Sequence, residues 1–90
     1  MKILKTATAG TLESSDIMIS LAPAEKTSIE IESVTGTIFD EAIRACITAK
    51  LGEMGVECVK VFAKDKGARD CVINARVEAA VTRAFKEGFK

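Results

Sequence analysis

The sequence predicts an α/β protein of the α+β type: a two-layer sandwich with two helices on one face of a mostly antiparallel four-stranded sheet, in the order β-β-β-α-β-α. Three observations carry this reading. The first third of the chain alternates apolar and polar residues with a period of two, the signature of half-buried strands. The stretches after Thr37 and after Asp70 instead repeat their apolar residues at helical spacing. Between them, Val56 to Lys64 returns to the strand period.

Lys2 to Leu12, rich in Thr and Ile, reads as the first strand, and Gly10 within it signals a bulge or a close backbone approach. Asp16 to Leu21 is the second: Ile17, Ile19 and Leu21 point one way, Asp16, Met18 and Ser20 the other, and Pro23 ends it or starts its turn. Ser28 to Val34 is the third, with Ile29 and Ile31 inward and Ser28, Glu30 and Glu32 outward, as expected for a sheet with one wet face.

Thr37, followed three residues later by Asp40, reads as a variant capping box opening the first helix. Ile38, Phe39, Ala42, Ile43, Cys46, Ile47 and Met54 then form its apolar face, and Gly55 is placed to close it in a left-handed conformation. Val56 to Lys64 is the fourth strand, with Val59 and Val61 on one face and Cys58, Lys60 and Phe62 on the other. Asp65-Lys66-Gly67 turns the chain, and Asp65 or Asp70 can cap the last helix, which runs to about Lys86. That helix has two apolar stripes: Ile73, Val77, Ala80, Val81 and Ala84 form one, Ala68, Cys71, Val72, Ala75 and Ala79 the other. A helix apolar on two sides is expected between the sheet and its neighbour helix, or at a docking surface.

Residues 1–90 are expected to make a single domain with one core and little room for a deep cleft, since a chain this short buries roughly 60–65% of its unfolded surface. Thirteen basic and thirteen acidic side chains cancel, which argues against a nucleic-acid binder; four Phe with no Trp or Tyr argue against a base-stacking platform. No apolar stretch reaches the roughly 18–20 residues of a membrane span, and Met1 to Lys5 lacks the apolar core of a signal peptide, so a cytoplasmic location is expected. Cys46, Cys58 and Cys71 are widely spaced and read as small buried apolar residues, not zinc ligands. With no histidine, neither a Ser-His-Asp nor a Cys-His nucleophilic system can be built, and the chain is expected to be no enzyme by itself.

The remaining candidate is Ser14. It stands in the polar tetrad Glu13-Ser14-Ser15-Asp16, directly before an alternating strand. By itself such a serine is an ordinary turn residue, and no base in the local motif activates it. The segment Gly10-Thr11-Leu12-Glu13-Ser14-Ser15-Asp16 resembles the start of the citrate lyase acyl carrier proteins, the gamma chains of that enzyme. The resemblance extends to Ile17-Met18-Ile19, Ala42-Ile43-Arg44, the run from Asp65 to Cys71, and Ala75-Arg76-Val77-Glu78-Ala79.

The resemblance implies that Ser14 carries a covalently attached 2'-(5''-phosphoribosyl)-3'-dephospho-coenzyme A, added by a dedicated transferase, the holo-carrier synthase. The thiol of that arm, acetylated with the help of an acetate ligase, would carry acetyl and citryl thioesters between the citrate lyase alpha and beta chains. The products would be acetate and oxaloacetate, as in citrate fermentation. Many relatives place glycine after the modified serine, where this chain has Ser15, a second hydroxyl; the register from Gly10 favours Ser14. Glu13 and Asp16 read either as recognition elements for the transferase or as a solvated turn, and Lys66 and Arg69 receive no site role. Two alternatives stay open: the carrier chain of malonate decarboxylase, which uses the same kind of arm, and a non-covalent interaction module docking through the second stripe of the last helix.

Overall fold

The computed structural model describes residues 3 and 5–85. The elements follow the expected order: β1 (Ala7–Ala9), β2 (Ile17–Pro23), β3 (Ser28–Ser33), α1 (Asp40–Glu53), β4 (Val59–Asp65) and α2 (Asp70–Phe85). The sheet is ordered β1-β2-β4-β3. β1 and β4 both pair antiparallel with β2, whereas β3 pairs parallel with β4. That parallel pair follows from chain economy: α1 carries the chain back across the sheet, so β4 enters between β2 and β3 in the direction of β3.

The core lies between the sheet and the helices. Ile17, Ile19 and Leu21 of β2 and Val59, Val61 and Ala63 of β4 are almost fully buried, as period-two strands with one covered face require. Ile29 and Ile31 of β3 are only half-buried and pack at the rim of this core, because β3 is an edge strand. α2 buries Ile73, Val77, Ala80, Val81 and Ala84, the whole first stripe. Its second stripe divides: Ala68, Val72 and Ala79 are half-buried against the core, while Cys71 and Ala75 are exposed.

Several expectations are corrected. β1 has three residues, not the span Lys2 to Leu12; Lys2 and Leu4 lie outside the described residues, and Thr11 and Leu12 belong to the following loop. The chain leaves the sheet at Gly10, which has φ +100° and would place a Cβ 1.9 Å from the carbonyl oxygen of Ile17, so the close approach expected there is real. The last helix, expected to run to about Lys86, is helical to Phe85, the last described residue, and Lys86 lies outside the described residues.

α1 starts later than the Thr37–Asp40 pattern suggests. Phe39 is its N-cap with no side-chain capping bond, and the Thr37 carbonyl only accepts a 3.3 Å turn bond from the Asp40 N–H. Ile38 and Phe39 therefore precede the helix instead of extending its apolar face. They are 78% and 54% exposed, and Ala42 is exposed too. The buried face is Ile43, Ile47 and Leu51. Its end is as expected: Gly55 has φ +72°, the Val56 N–H bonds to the Leu51 carbonyl and the Gly55 N–H to the Gly52 carbonyl, the paired bonds of a Schellman motif.

Cysteine placement also differs, since Cys46 and Cys58 are only half-buried and Cys71 is exposed. At the start of α2, Asp65 holds the Ala68 N–H at 2.9 Å, closing the turn before the helix, while Asp70 is the first helical residue. No helix among the described residues is long and apolar enough to cross a membrane.

Candidate functional site

Ser14 lies in the loop between β1 and β2, at the sheet end where β4 stops and α2 begins. The Asp16 N–H donates to the Glu13 carbonyl at 3.1 Å, so Glu13-Ser14-Ser15-Asp16 is a closed β-turn with Ser14 at its second position. Ser14 is exposed, and its hydroxyl has no hydrogen-bond partner among the described residues. Ser15, at the third position, has φ +66°, in the left-handed region. A turn with positive φ at that position favours glycine, so Ser15 is strained here.

The turn is fixed to the sheet from both sides. The Ser15 N–H donates to the Lys66 carbonyl and the Lys66 N–H to the Asp16 carbonyl, both at 2.8 Å, extending the β2–β4 ladder to the turn itself. The Asp16 side chain holds it from below. Its carboxylate accepts from Thr11 Oγ1 at 2.6 Å, from the Ile17 N–H at 2.7 Å, and from Arg76 Nε and Nη2 at 3.0 and 2.8 Å. Thr11 Oγ1 in turn accepts from the Glu13 N–H at 3.2 Å. The Arg76 fork, with help from Thr11 and against the effect of burial, holds the Asp16 carboxyl well below the usual carboxylate range. Asp16 is thus not a solvated turn residue: it is buried, with its carboxylate tied to Thr11, Ile17 and Arg76. Glu13, by contrast, is exposed.

Sequence reasoning missed Arg76, which reaches Asp16 from 60 residues away. The signal was weak: Arg76 is one of three arginines spaced by seven, Arg69 just before α2 and Arg76 and Arg83 within it, and only the fold singles it out. Arg69 is exposed, whereas Lys66 is half-buried beside the turn, in a cleft of about 180 Å³ with Leu12, Ser33, Val34, Lys64 and Asp65. Asp65 is buried, its oxygens taken by Ser33 Oγ at 2.8 Å and the Ala68 N–H at 2.9 Å. Cys46 donates weakly to Asn74 Oδ1 at 3.4 Å, and burial pushes its thiol pKa up, the opposite of a reactive thiolate. The site therefore offers an accessible hydroxyl on a turn tied to the sheet, and no described residue is hydrogen-bonded to it.

The sequence matches the family model of the malonate decarboxylase delta subunit (MdcD) over residues 4–84. It is 46% identical over 87 residues to the citrate lyase acyl carrier protein of Haemophilus influenzae, covering 97% of this chain and 92% of that one. The citrate lyase acyl carrier protein of Haemophilus ducreyi is 47% identical with the same coverage. In shape the chain is similar to a chain of the crystal structure of a Pseudomonas malonate decarboxylase hetero-tetramer in complex with malonate: TM-score 0.75 at 18% identity, covering 89% of this chain and 84% of that one. A small β-β-β-α-β-α sandwich with a clamped serine turn, matched along nearly its whole length by acyl carriers, belongs to the acyl carrier protein family of citrate lyase and malonate decarboxylase.

Proposed function

We propose that this chain is the acyl carrier subunit of citrate lyase and that Ser14 Oγ is the attachment point of a phosphoribosyl-dephospho-coenzyme A arm. The observation that carries this is the Ser14 hydroxyl itself, exposed, without an internal partner, and at the tip of a turn clamped to the sheet and to α2. The residues fit such a group. A bulky substituent on Ser14 meets solvent, and Lys66 stands beside the turn where an ester-linked phosphate would bring negative charge. When bound, the group supplies a terminal thiol on which acyl groups are held as thioesters.

The chain's own part is presentation. The Asp16 network keeps Ser14 in one place for the transferase and later fixes the root of the arm. Tethering replaces free diffusion with an effective concentration that reaches about millimolar. On this reading the chain is a non-catalytic subunit of a cytoplasmic complex. Its partners are the citrate lyase alpha and beta chains, the holo-carrier synthase and an acetate ligase.

The test is co-expression with the transferase, followed by intact mass and mapping of the modified peptide. An arm-sized adduct on Ser14 that disappears in Ser14→Ala and persists in Ser15→Ala is expected. No adduct, with the transferase shown active on a known carrier, rejects the reading in favour of a non-covalent interaction module. The family model and the Pseudomonas likeness favour a second reading, a malonate decarboxylase carrier with the same attachment. Restoration of citrate cleavage by the loaded chain with citrate lyase alpha and beta chains separates the two.

A further inference from the structure

A phosphate on Ser14 would add negative charge to a turn that is already acidic. Of the two carboxylates in Glu13-Ser14-Ser15-Asp16, Asp16 is neutralised by the Arg76 fork at 3.0 and 2.8 Å. Glu13 is exposed and makes no ion pair among the described residues. The counter-charge must therefore come from another part of the fold, and the chain supplies it across the ladder. The Lys66 carbonyl accepts the Ser15 N–H and the Lys66 N–H donates to the Asp16 carbonyl, both at 2.8 Å. With Ser15 at φ +66°, these are the bonds of a β-bulge that sets Ser15 and Asp16 together against Lys66. Lys66 thus stands directly across from the residue after Ser14, on a flexible four-carbon stem that can reach past the turn.

The Lys66 side chain is half-buried in the cleft of about 180 Å³ on the solvent face of the sheet, which Lys64 also lines. Neither lysine has an ion-pair partner among the described residues. Two carboxylates share the wall. Asp65 is engaged by Ser33 Oγ and the Ala68 N–H. Glu32 is exposed and lies opposite Lys64 in the strand register, so it offsets Lys64 more than Lys66. Helix stability does not account for Lys66 either, because it lies just ahead of α2, whose N-terminal end is positive and favours anions. Leu12 and Val34, 47% and 62% exposed, line the same cleft. Their apolar surface lowers the local dielectric, which strengthens a charge pair formed there.

Building on the Ser14 attachment, we infer that Lys66 is the anion-positioning residue of this site, its ammonium pairing with the phosphate that joins the arm to Ser14 Oγ. Between free molecules an exposed pair of this kind is weak. Here the phosphate is fixed to the turn that Lys66 already holds, so its effective concentration at the lysine reaches about millimolar without any further binding step. The pair fixes the root of the arm over the cleft and leaves the thiol-bearing end free to swing. Lys64, next along the same face of β4, is placed for negative charge farther along the arm.

The test is phosphorus NMR of the arm-loaded protein, with loading on Ser14 verified by mass. The quantity read is the shift of the linking-phosphate resonance between the folded protein and the same protein unfolded in urea. Lys66→Ala should lose most of that shift and Lys66→Arg should keep it. Arg69→Ala, which removes an exposed cation outside the cleft, should leave it unchanged. The Lys66 side chain makes no hydrogen bond among the described residues, so unloaded Lys66→Ala should melt with the wild type. A shift retained in Lys66→Ala, or lost equally in Arg69→Ala, overturns the role of Lys66 and leaves the carrier reading standing. Should the transferase refuse Lys66→Ala, the wild type decides alone: about 1 M salt, where the Debye length falls to about 3 Å, should shrink the shift, and a salt-independent shift overturns the pair. Absence of any adduct on the wild type removes both readings.

Discussion

Two connections meet at the same end of the sheet and are built on opposite principles. The loop from Gly10 to Asp16 satisfies its polar groups internally, through the buried Asp16 carboxylate, Thr11, Arg76 and two ladder bonds to Lys66. The segment from Val34 to Phe39 is tied to the sheet by a 3.1 Å bond from its Val34 N–H to the Asp65 carbonyl. It then exposes Val34, Ile38 and Phe39 and enters α1 without a side-chain cap. One oxygen of Asp40, buried at that helix start, has no hydrogen-bond partner among the described residues. Fixity and stickiness are separated here. The first loop uses its side chains to hold a turn still, and the second, beyond the Thr35–Ser33 hydroxyl contact at 2.8 Å, leaves Val34, Ile38 and Phe39 to solvent.

Four substitutions break or sharpen this contrast. Gly10→Ala should have the largest effect, because a Cβ there collides with the Ile17 backbone and φ +100° disfavours any L side chain. A loss of about 3 kcal/mol is expected in urea unfolding. Asp16→Asn comes next, at about 2 kcal/mol, since it leaves the Arg76 guanidinium without its carboxylate, although that guanidinium is partly solvated. The same variant has a pH signature. The folded-state pKa of Asp16 is depressed, so its stabilisation is fully present above the ordinary carboxylate pKa of about 4 and fades as pH falls below it. The wild type should therefore lose stability progressively below about pH 4 along a slope that is shallower in Asp16→Asn.

Ser15→Gly should act in the other direction. It relieves a left-handed φ at some cost in unfolded-chain entropy, for a net gain of about 0.5 kcal/mol, read as a rise in melting temperature with the Ser14 adduct retained. Smallest of all, Phe39→Ser should change stability by less than about 0.5 kcal/mol, because the ring is mostly outside the core. A large loss there would show that the second connection is as structural as the first.

The sequence made the layers legible because burial writes itself as periodicity. The inward faces of β2, β3, β4 and the first stripe of α2 were readable, although β4 starts at Val59 and not at the expected Val56, β2 runs on to Pro23 and β3 stops at Ser33, and Gly10 and Gly55 announced their backbone conformations. Strand order was not readable: period two says which face is covered and nothing about which strand lies alongside, so the parallel β3–β4 pair needed the fold. Phe39 and Ile38 were misassigned to the α1 face because an apolar residue outside a helix has the same letter as one inside it. At the site, the turn holding Ser14 could be located from the polar tetrad. The burial of Asp16 could not, since it depends on a guanidinium delivered by an element 60 residues downstream.

Arg76 reaches Asp16 only where α2 is docked on the sheet. The carboxylate that anchors the Ser14 turn therefore has its guanidinium partner only while that helix is in place, so the shape of the turn reports on the docking of an element that contributes no residue to it.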